Sequence, residues 1–165
     1  MWTIFFVFVA NLLILGVSAL QKSMIVIRNS RALSASSGDY GAIVHAGLLV
    51  SDVEKSIDFY EKAFGFEDVT HLRPKLPFHG AFLTAGMSQL HLMQLPNPDP
   101  IDGRPEHGGR DRHFAISCRP GTVDRLKVRL AELDHPYTMS LSGRAALFCR
   151  DLDMNAIEFM EVEDL

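Results

Sequence analysis

Residues 43–67 read IVHAGLLVSDVEKSIDFYEKAFGFE, and this stretch decides the fold because it predicts a strand, a helix and a helix stop in succession. The apolar run 42–50 predicts the strand. Ser51, followed three residues later by Glu54, is typical of a capping box at a helix start. Gly65 is typical of a helix end. Apolar residues at helical spacing predict the helix between them, namely Val53, Ile57, Tyr60 and Phe64.

The same order of elements occurs a second time along the chain. After the first helix, three apolar runs predict further strands, namely FEDVTHL (66–72), HGAFLTA (79–85) and SQLHLMQL (88–95). Four Pro and three Gly within residues 96–110 predict a long loop. RHFAISC (112–118) then predicts a new strand, followed by a striped helix and by short strands near 137–140, 144–149 and 156–162. The sequence therefore predicts an α+β fold of two βαβββ modules, at about 41–95 and 111–162.

Four side chains that can bind a metal lie at matching places in the two modules. His45 and His113 lie in the opening strands, while His91 and Glu158 lie in the closing strands. The separation is 46 residues in the first module and 45 in the second. Strand parity places each side chain on the face opposite the continuously apolar one, since residues two apart share a face. We therefore predict His45, His113 and Glu158 as metal ligands, with His91 as a fourth ligand or as a supporting hydrogen-bond donor.

Imidazole and carboxylate ligands suit one divalent metal ion, which is Zn, Ni, Fe(II), Mn or Co. Such an ion can polarise a carbonyl group or stabilise an enediolate, and Glu158 is also the predicted catalytic base. Small and polar residues on the ligand face predict a substrate cavity, namely Gly47, Gln89, Ala115 and Ser117. Other histidines and loop arginines are expected to be solvated, with anchoring of an anionic substrate as the alternative for the arginines; these are His71, His79, His107, His135, Arg104, Arg110 and Arg112.

The charge of the chain is unevenly distributed. Residues 1–37 hold three basic residues and no acidic one, so the rest of the chain carries 20 acidic residues against 13 basic ones. An acidic body argues against nucleic acid as a partner, because phosphate contacts need clustered Lys and Arg. The two cysteines, Cys118 and Cys149, are too few for a disulfide scaffold and are expected to be free thiols.

The first 37 residues are typical of a targeting leader. Residues 1–19 are almost wholly apolar and signal-like, and residues 20–37 are basic, Ser-rich and transit-like. This composition predicts targeting to a plastid or to the secretory pathway. The alternatives are a membrane anchor, or a cytoplasmic protein if the leader is an artefact of a gene model that should start at Met24. We expect residues 38–165 to form a single domain without a stable membrane span.

The sequence resembles the vicinal oxygen chelate superfamily, which includes glyoxalase I, extradiol dioxygenases, fosfomycin-resistance thiol transferases and bleomycin-binding proteins. The resemblance is carried by residues 43–67 and by SQLHLMQLPNPDP (88–100), GRDRHFAISC (109–118) and ALFCRDLDMNAIEFMEV (146–162). It implies paired βαβββ modules that form a cup-shaped mixed sheet, the glyoxalase/bleomycin resistance/dihydroxybiphenyl dioxygenase fold. It also implies one divalent metal at the places of His45, His91, His113 and Glu158, a small-molecule substrate, and a homodimer.

Two departures from the family pattern affect the expected activity. The turn at 151–155, DLDMN, lacks the Pro and Gly that are usual there, and His91 stands where glyoxalase I commonly has a carboxylate. Glyoxalase-like lyase chemistry is the leading hypothesis. Extradiol dioxygenation and thiol transfer are alternatives from other branches of the superfamily. A non-catalytic protein that sequesters a small molecule is the alternative from another functional class.

Overall fold

The structure is a computed structural model that describes residues 37–165, so the predicted leader lies almost entirely outside the described residues. The described part of the first compact unit, residues 37–42, contains a 3-10 turn at Ser37–Asp39. The second unit, Ile43–Leu165, contains the described strands and α-helices. Among residues 37–165, we find no helix with the length and apolar character needed to cross a membrane.

The first module contains β1 (His45–Leu49), α1 (Val53–Phe64), β2 (Gly80–Ala85) and β3 (Ser88–Met93). Its strands form a sheet in the order β1-β3-β2, with β1 parallel and β2 antiparallel to β3.

The strand predicted at 66–72 is reduced to one bridge between Asp68 and Leu83, followed by a 3-10 turn at Thr70–Leu72. The Asp68 carboxylate accepts a hydrogen bond from the Thr70 N–H at 2.8 Å. Such a local bond favours a turn over an extended ladder.

The second module has the complete predicted order. It contains β4 (His113–Cys118), α2 (Thr122–Glu132), β5 (Tyr137–Met139), β6 (Ala146–Arg150) and β7 (Ala156–Glu161). The sheet order is β4-β7-β6-β5, with β4 parallel to β7 and the other neighbours antiparallel. The α+β class with mixed sheets and two helices is therefore confirmed.

The start of α1 differs from the predicted capping box. Asp52 is the N-cap, and its carboxylate accepts a hydrogen bond from the Lys55 N–H at 3.1 Å. The backbone N–H of Ser51 instead donates to the Asp153 carboxylate at 2.9 Å, so Ser51 contacts the second module. The predicted stop is confirmed, because Gly65 adopts φ +71°, which favours glycine, and its N–H donates to Glu61 and Tyr60 carbonyl oxygens.

Both modules contribute to one hydrophobic core. The Phe64 ring of α1 packs on Phe159 of β7, with ring centroids 4.7 Å apart. Beside it the buried Tyr60 hydroxyl donates to the Asp151 carboxylate at 2.9 Å. The Asn155 amide donates to the Leu49 carbonyl oxygen at 3.1 Å, which joins the turn before β7 to β1. Since successive side chains of a strand point to opposite faces, the residues of β1, β3, β4 and β7 that do not face this core form the other faces of the sheets, which carry the predicted ligands.

Candidate functional site

The two modules place their candidate ligands in the same strand register. In the first, Gly47 of β1 pairs with His91 of β3, and His45 pairs with Gln89. In the second, Ala115 of β4 pairs with Glu158 of β7, and His113 pairs with Ala156. Each histidine of an opening strand is thus a diagonal neighbour of the candidate ligand on its closing strand. The register repeats in both modules, which is the arrangement that the sequence spacing predicts.

His113 and Glu158 form the first of two pairs. The His113 Nε2 atom lies 3.4 Å from the Glu158 Oε2 atom. On the other side of the ring, Nδ1 lies 2.8 Å from the Asp111 carbonyl oxygen. Since a carbonyl oxygen only accepts, Nδ1 is the donor in this contact, and Nε2 is the ring nitrogen that faces Glu158.

The Glu158 carboxylate is buried with one oxygen unsatisfied. Its side chain is 8 % exposed, and within residues 37–165 the Oε1 atom has no hydrogen-bond partner. Phe148 of β6 lies opposite Glu158 in the ladder and packs edge-on against the His113 ring at 5.3 Å. A buried carboxylate oxygen without a partner is costly, and coordination to a cation would satisfy it. The donors of this pair therefore fit a divalent metal.

His45 and His91 form the second pair, and their rings are stacked. The ring centroids are 4.1 Å apart with an interplanar angle of 13°, and Phe82 stacks on the other face of His91 at 3.7 Å. The His91 Nε2 atom lies 3.1 Å from the Gln89 Oε1 atom. Burial lowers the pKa of His91, and the nearby charges of His45 and Arg73 lower it further, so its neutral, ligating form is favoured.

The structure brings the four predicted ligands together as two pairs. Within residues 37–165, no group of three or more His, Cys, Asp or Glu side chains has a metal-binding arrangement. Imidazole ligates a metal in the plane of its ring, so two stacked rings do not face a common ion. One ring of the His45–His91 pair has to turn before both can bind the same ion.

A cavity of about 280 Å³ lies where β1 and β4 approach each other. Gly47, one of the predicted cavity residues, lines it together with His113. Gln89, Ala115 and Ser117 do not line this cavity but lie on the ligand-bearing faces of their strands, and their substrate role stays a prediction. The lining residues are Ala46, Gly47, Leu48, Asp99, Arg104, Arg112, His113, Phe114, Asn155 and Ala156.

An ion-pair cluster beside His113 was missed by the sequence reasoning. The Asp111 carboxylate lies 2.7 Å from Arg104 Nε and 2.9 Å from Arg150 Nη2. All three side chains are 11–12 % exposed, so the expectation of a solvated Arg104 is wrong. The bond from Arg104, followed by that from Arg150, holds the pKa of Asp111 well below its usual range. The acidic and basic residues were visible in the sequence, but their pairing depends on the path of the loop.

Two further expectations about solvated loop residues are corrected. His107 is partly buried, and its Nδ1 atom lies 2.7 Å from the Thr138 hydroxyl oxygen. The His135 Nε2 atom donates to the Arg150 carbonyl oxygen at 2.6 Å. Arg112, in contrast, is 70 % exposed and forms a surface ion pair with Asp99, as expected for a solvated charge.

Comparisons with known proteins assign the chain to a family. A family model described as the Glyoxalase/Bleomycin resistance protein/Dioxygenase superfamily matches residues 42–159. A similar curated protein is Glyoxylase I 4 of Arabidopsis thaliana, 28% identical over 125 residues that cover 73% of this chain and 71% of that protein.

Solved structures show the same fold. Lactoylglutathione lyase from Agrobacterium tumefaciens is 27% identical with a TM-score of 0.53, and the match covers 74% of this chain and 94% of that one. A mutant of the fosfomycin resistance protein FosX from Listeria monocytogenes, in complex with Mn(II) and 1S,2S-dihydroxypropylphosphonic acid, is 18% identical with a TM-score of 0.56. That match covers 74% of this chain and 92% of FosX, and it concerns the fold alone. The chain therefore belongs to the Glyoxalase/Bleomycin resistance protein/Dioxygenase superfamily.

Proposed function

We propose that this protein is a divalent-metal-dependent enzyme that acts on a small, oxygenated, metal-chelating substrate by glyoxalase-like lyase chemistry. The observation that carries the proposal is the His113–Glu158 pair, in which a fixed imidazole Nε2 faces a buried carboxylate with one unsatisfied oxygen. His45 and His91, at the matching register positions, would supply the remaining ligands.

Each part of the site would have a separate role in the reaction. A bound divalent metal would supply Lewis acidity to a carbonyl or enediolate oxygen of the substrate. Glu158 is the carboxylate placed to accept a proton from the substrate, because it lies next to His113 on the ligand face. Phe148 packs against the His113 ring, and the buried Gly108 lies against Phe148 on the side of the loop. The cavity between β1 and β4 offers space for a small substrate beside His113.

The lyase branch is favoured by the likeness to Glyoxylase I 4 and to lactoylglutathione lyase, at 28% and 27% identity. The His45, His113 and Glu158 set is equally compatible with extradiol dioxygenation or thiol transfer. A protein that only sequesters a small molecule is the candidate from another class.

A homodimer is part of the proposal. β1 and β4 lie at sheet edges in the described topology. Ile43 and Val44, which precede β1, are 83% and 68% exposed. Exposed apolar residues of this size favour contact with another protein surface.

Metal binding by the full chain tests the proposal. We expect one Zn, Ni, Mn, Co or Fe(II) ion per chain by elemental analysis, and a mass by sedimentation that corresponds to a dimer. His113→Ala and Glu158→Gln should each weaken metal binding by more than the roughly 10- to 100-fold typical for loss of a supporting partner. His71→Ala replaces an exposed histidine in the 3-10 turn and is the matched control, which should bind metal like the wild type.

Activity assays then separate the branches. Conversion of methylglyoxal with glutathione supports the lyase, whereas oxygen uptake with catechols supports the dioxygenase. A wild-type protein that is purified metal-free and takes up none of these ions contradicts the proposal. Small-molecule binding that is unaffected by His113→Ala indicates the sequestering protein.

A further inference from the structure

We propose that the Arg104–Asp111–Arg150 cluster positions His113, by holding the Asp111 carbonyl oxygen against Nδ1 so that Nε2 is aimed at Glu158. The inference rests on the proposed function for its consequence, metal binding. The orientation of the His113 ring is a property of the metal-free protein and can be tested separately.

Asp111 is held through its side chain and its backbone together. Its Oδ2 atom accepts from Arg104 and Arg150 at 2.7 and 2.9 Å, and its Oδ1 atom accepts from the Arg112 N–H at 2.8 Å. Its own N–H donates to the Gly108 carbonyl oxygen at 3.1 Å. The peptide that follows Asp111 therefore has little freedom to rotate, and its carbonyl oxygen is fixed at 2.8 Å from His113 Nδ1.

Arg150 connects this carbonyl to the segment that leads to Glu158. Its guanidinium donates to the Met154 carbonyl oxygen at 2.9 Å and to the Pro105 carbonyl oxygen at 2.7 Å. Met154 lies in the turn directly before β7, the strand that carries Glu158. One guanidinium therefore contacts the loop before His113 and the turn before Glu158, so it fixes the relative positions of the two predicted ligands.

The first module lacks this arrangement, which makes the cluster specific to His113. The residue two before His45, matching Asp111, is Ile43, and it is 83% exposed. The Ile43 carbonyl oxygen accepts from the Ser88 hydroxyl at 3.1 Å. The His45 ring is instead stacked on His91. We infer that His113 is the preoriented ligand and that the adjustment needed for metal binding falls on the His45–His91 pair.

The variant Asp111→Ala tests the positioning role, with two readouts on the full chain. The first is proton–nitrogen correlation NMR of the histidine rings in the metal-free protein, with the His113 signals identified by their loss in His113→Ala. The wild type should show a hydrogen-bonded proton on His113 Nδ1, and in Asp111→Ala this proton should be distributed between Nδ1 and Nε2. The second is Co(II) affinity by absorption titration, which should fall about 10- to 100-fold.

Asp124→Ala is the matched control, because it removes an aspartate from an exposed ion pair with Lys127 on α2. It should change neither the tautomer nor the Co(II) affinity. Arg104→Gln is the milder variant, since it leaves the Arg150 contact in place, and it should shift both readouts in the same direction by a smaller amount.

The outcomes separate the inference from the proposed function. A folded Asp111→Ala protein with a single Nδ1–H tautomer and unchanged affinity overturns the inference. If Asp111→Ala does not fold, Arg104→Gln decides, and an unchanged tautomer in that variant overturns it as well. If the wild type binds neither Co(II) nor Zn, Ni, Mn or Fe(II), the proposed function fails, while the tautomer comparison still confirms or overturns the positioning role.

Discussion

The variant Tyr60→Phe isolates the polar contact that joins α1 of the first module to the turn before β7 in the second. The Tyr60 hydroxyl is fully buried and donates to the Asp151 Oδ2 atom at 2.9 Å. The substitution keeps the ring and its packing on Phe66 and removes only the donor. We expect the free energy of unfolding to fall while the fold is retained.

The structure sets the size of this loss. A hydrogen bond to a charged group contributes about 1.5–3 kcal/mol. The Asp151 Oδ2 atom keeps a second donor in Tyr60→Phe, the Asn155 amide at 2.8 Å, and its Oδ1 atom keeps two backbone donors. The carboxylate is therefore not left unpaired, which places the expected loss in the lower part of the range, about 2 kcal/mol.

The loss should depend on pH. Burial raises the pKa of Asp151, and the bond from Tyr60 opposes this rise. When folding raises the pKa of a carboxyl, the protein loses stability as the pH rises from the unfolded-state pKa of about 3.9 through the folded-state pKa. Without the bond the pKa of Asp151 is higher still, so stability should fall more steeply with rising pH in Tyr60→Phe. The difference in the free energy of unfolding between Tyr60→Phe and the wild type should therefore become smaller towards pH 4.

Urea unfolding at several pH values measures both effects. The midpoint should shift at an unchanged slope, since the surface exposed on unfolding is the same. Tyr137→Phe, at a half-exposed tyrosine of β5, is the control and should change stability by less than about 0.5 kcal/mol. A Tyr60→Phe difference as small as that of the control, or one that is the same at pH 4 and pH 8, would refute the reasoning.

Two further predictions concern a buried thiol and a crowded glycine. Burial raises the pKa of Cys149 to about 12, so iodoacetamide should leave Cys149 unmodified in the native protein at pH 8 and modify it after unfolding; rapid native labelling seen by mass spectrometry would contradict this. A Cβ at Gly80 would collide with the Leu92 carbonyl oxygen, so Gly80→Ala should sharply lower the melting temperature. Gly86 has φ +63° and open space around it, so Gly86→Ala should lower the free energy of unfolding by only about 1 kcal/mol. Equal losses of stability at the two positions would contradict the explanation by crowding at Gly80.

The parts of the fold that depend on residue order were predictable from the sequence. Strand parity and the duplicated spacing place His113 and Glu158 on one face, and the observed register brings their side chains within 3.4 Å. The parts that depend on local competition were not predictable. At Asp68 a side-chain hydrogen bond replaces the predicted strand with a turn, and at Asp52 a better-placed carboxylate takes the cap that Ser51 was expected to form.

The contacts made by the long loop also could not be predicted from the sequence. Arg104, Asp111 and Arg150 come from the loop and from the end of β6, and no periodicity relates them. The stacking of His45 on His91 likewise depends on side-chain rotation, which strand parity does not specify. The sequence therefore predicted which residues share a face and missed how their rings are oriented.

The packing of α1 across the module boundary has a consequence for synthesis of the protein. Tyr60 and its partner Asp151 are 91 residues apart, and Phe159 follows later still. At a translation rate of about 5–20 residues per second, α1 is synthesised roughly 5–20 s before these partners are made. During that interval the aromatic face of α1 has no second module to cover it, and such surfaces promote aggregation. A chaperone that covers the aromatic face of α1 during that interval should therefore raise the yield of folded protein.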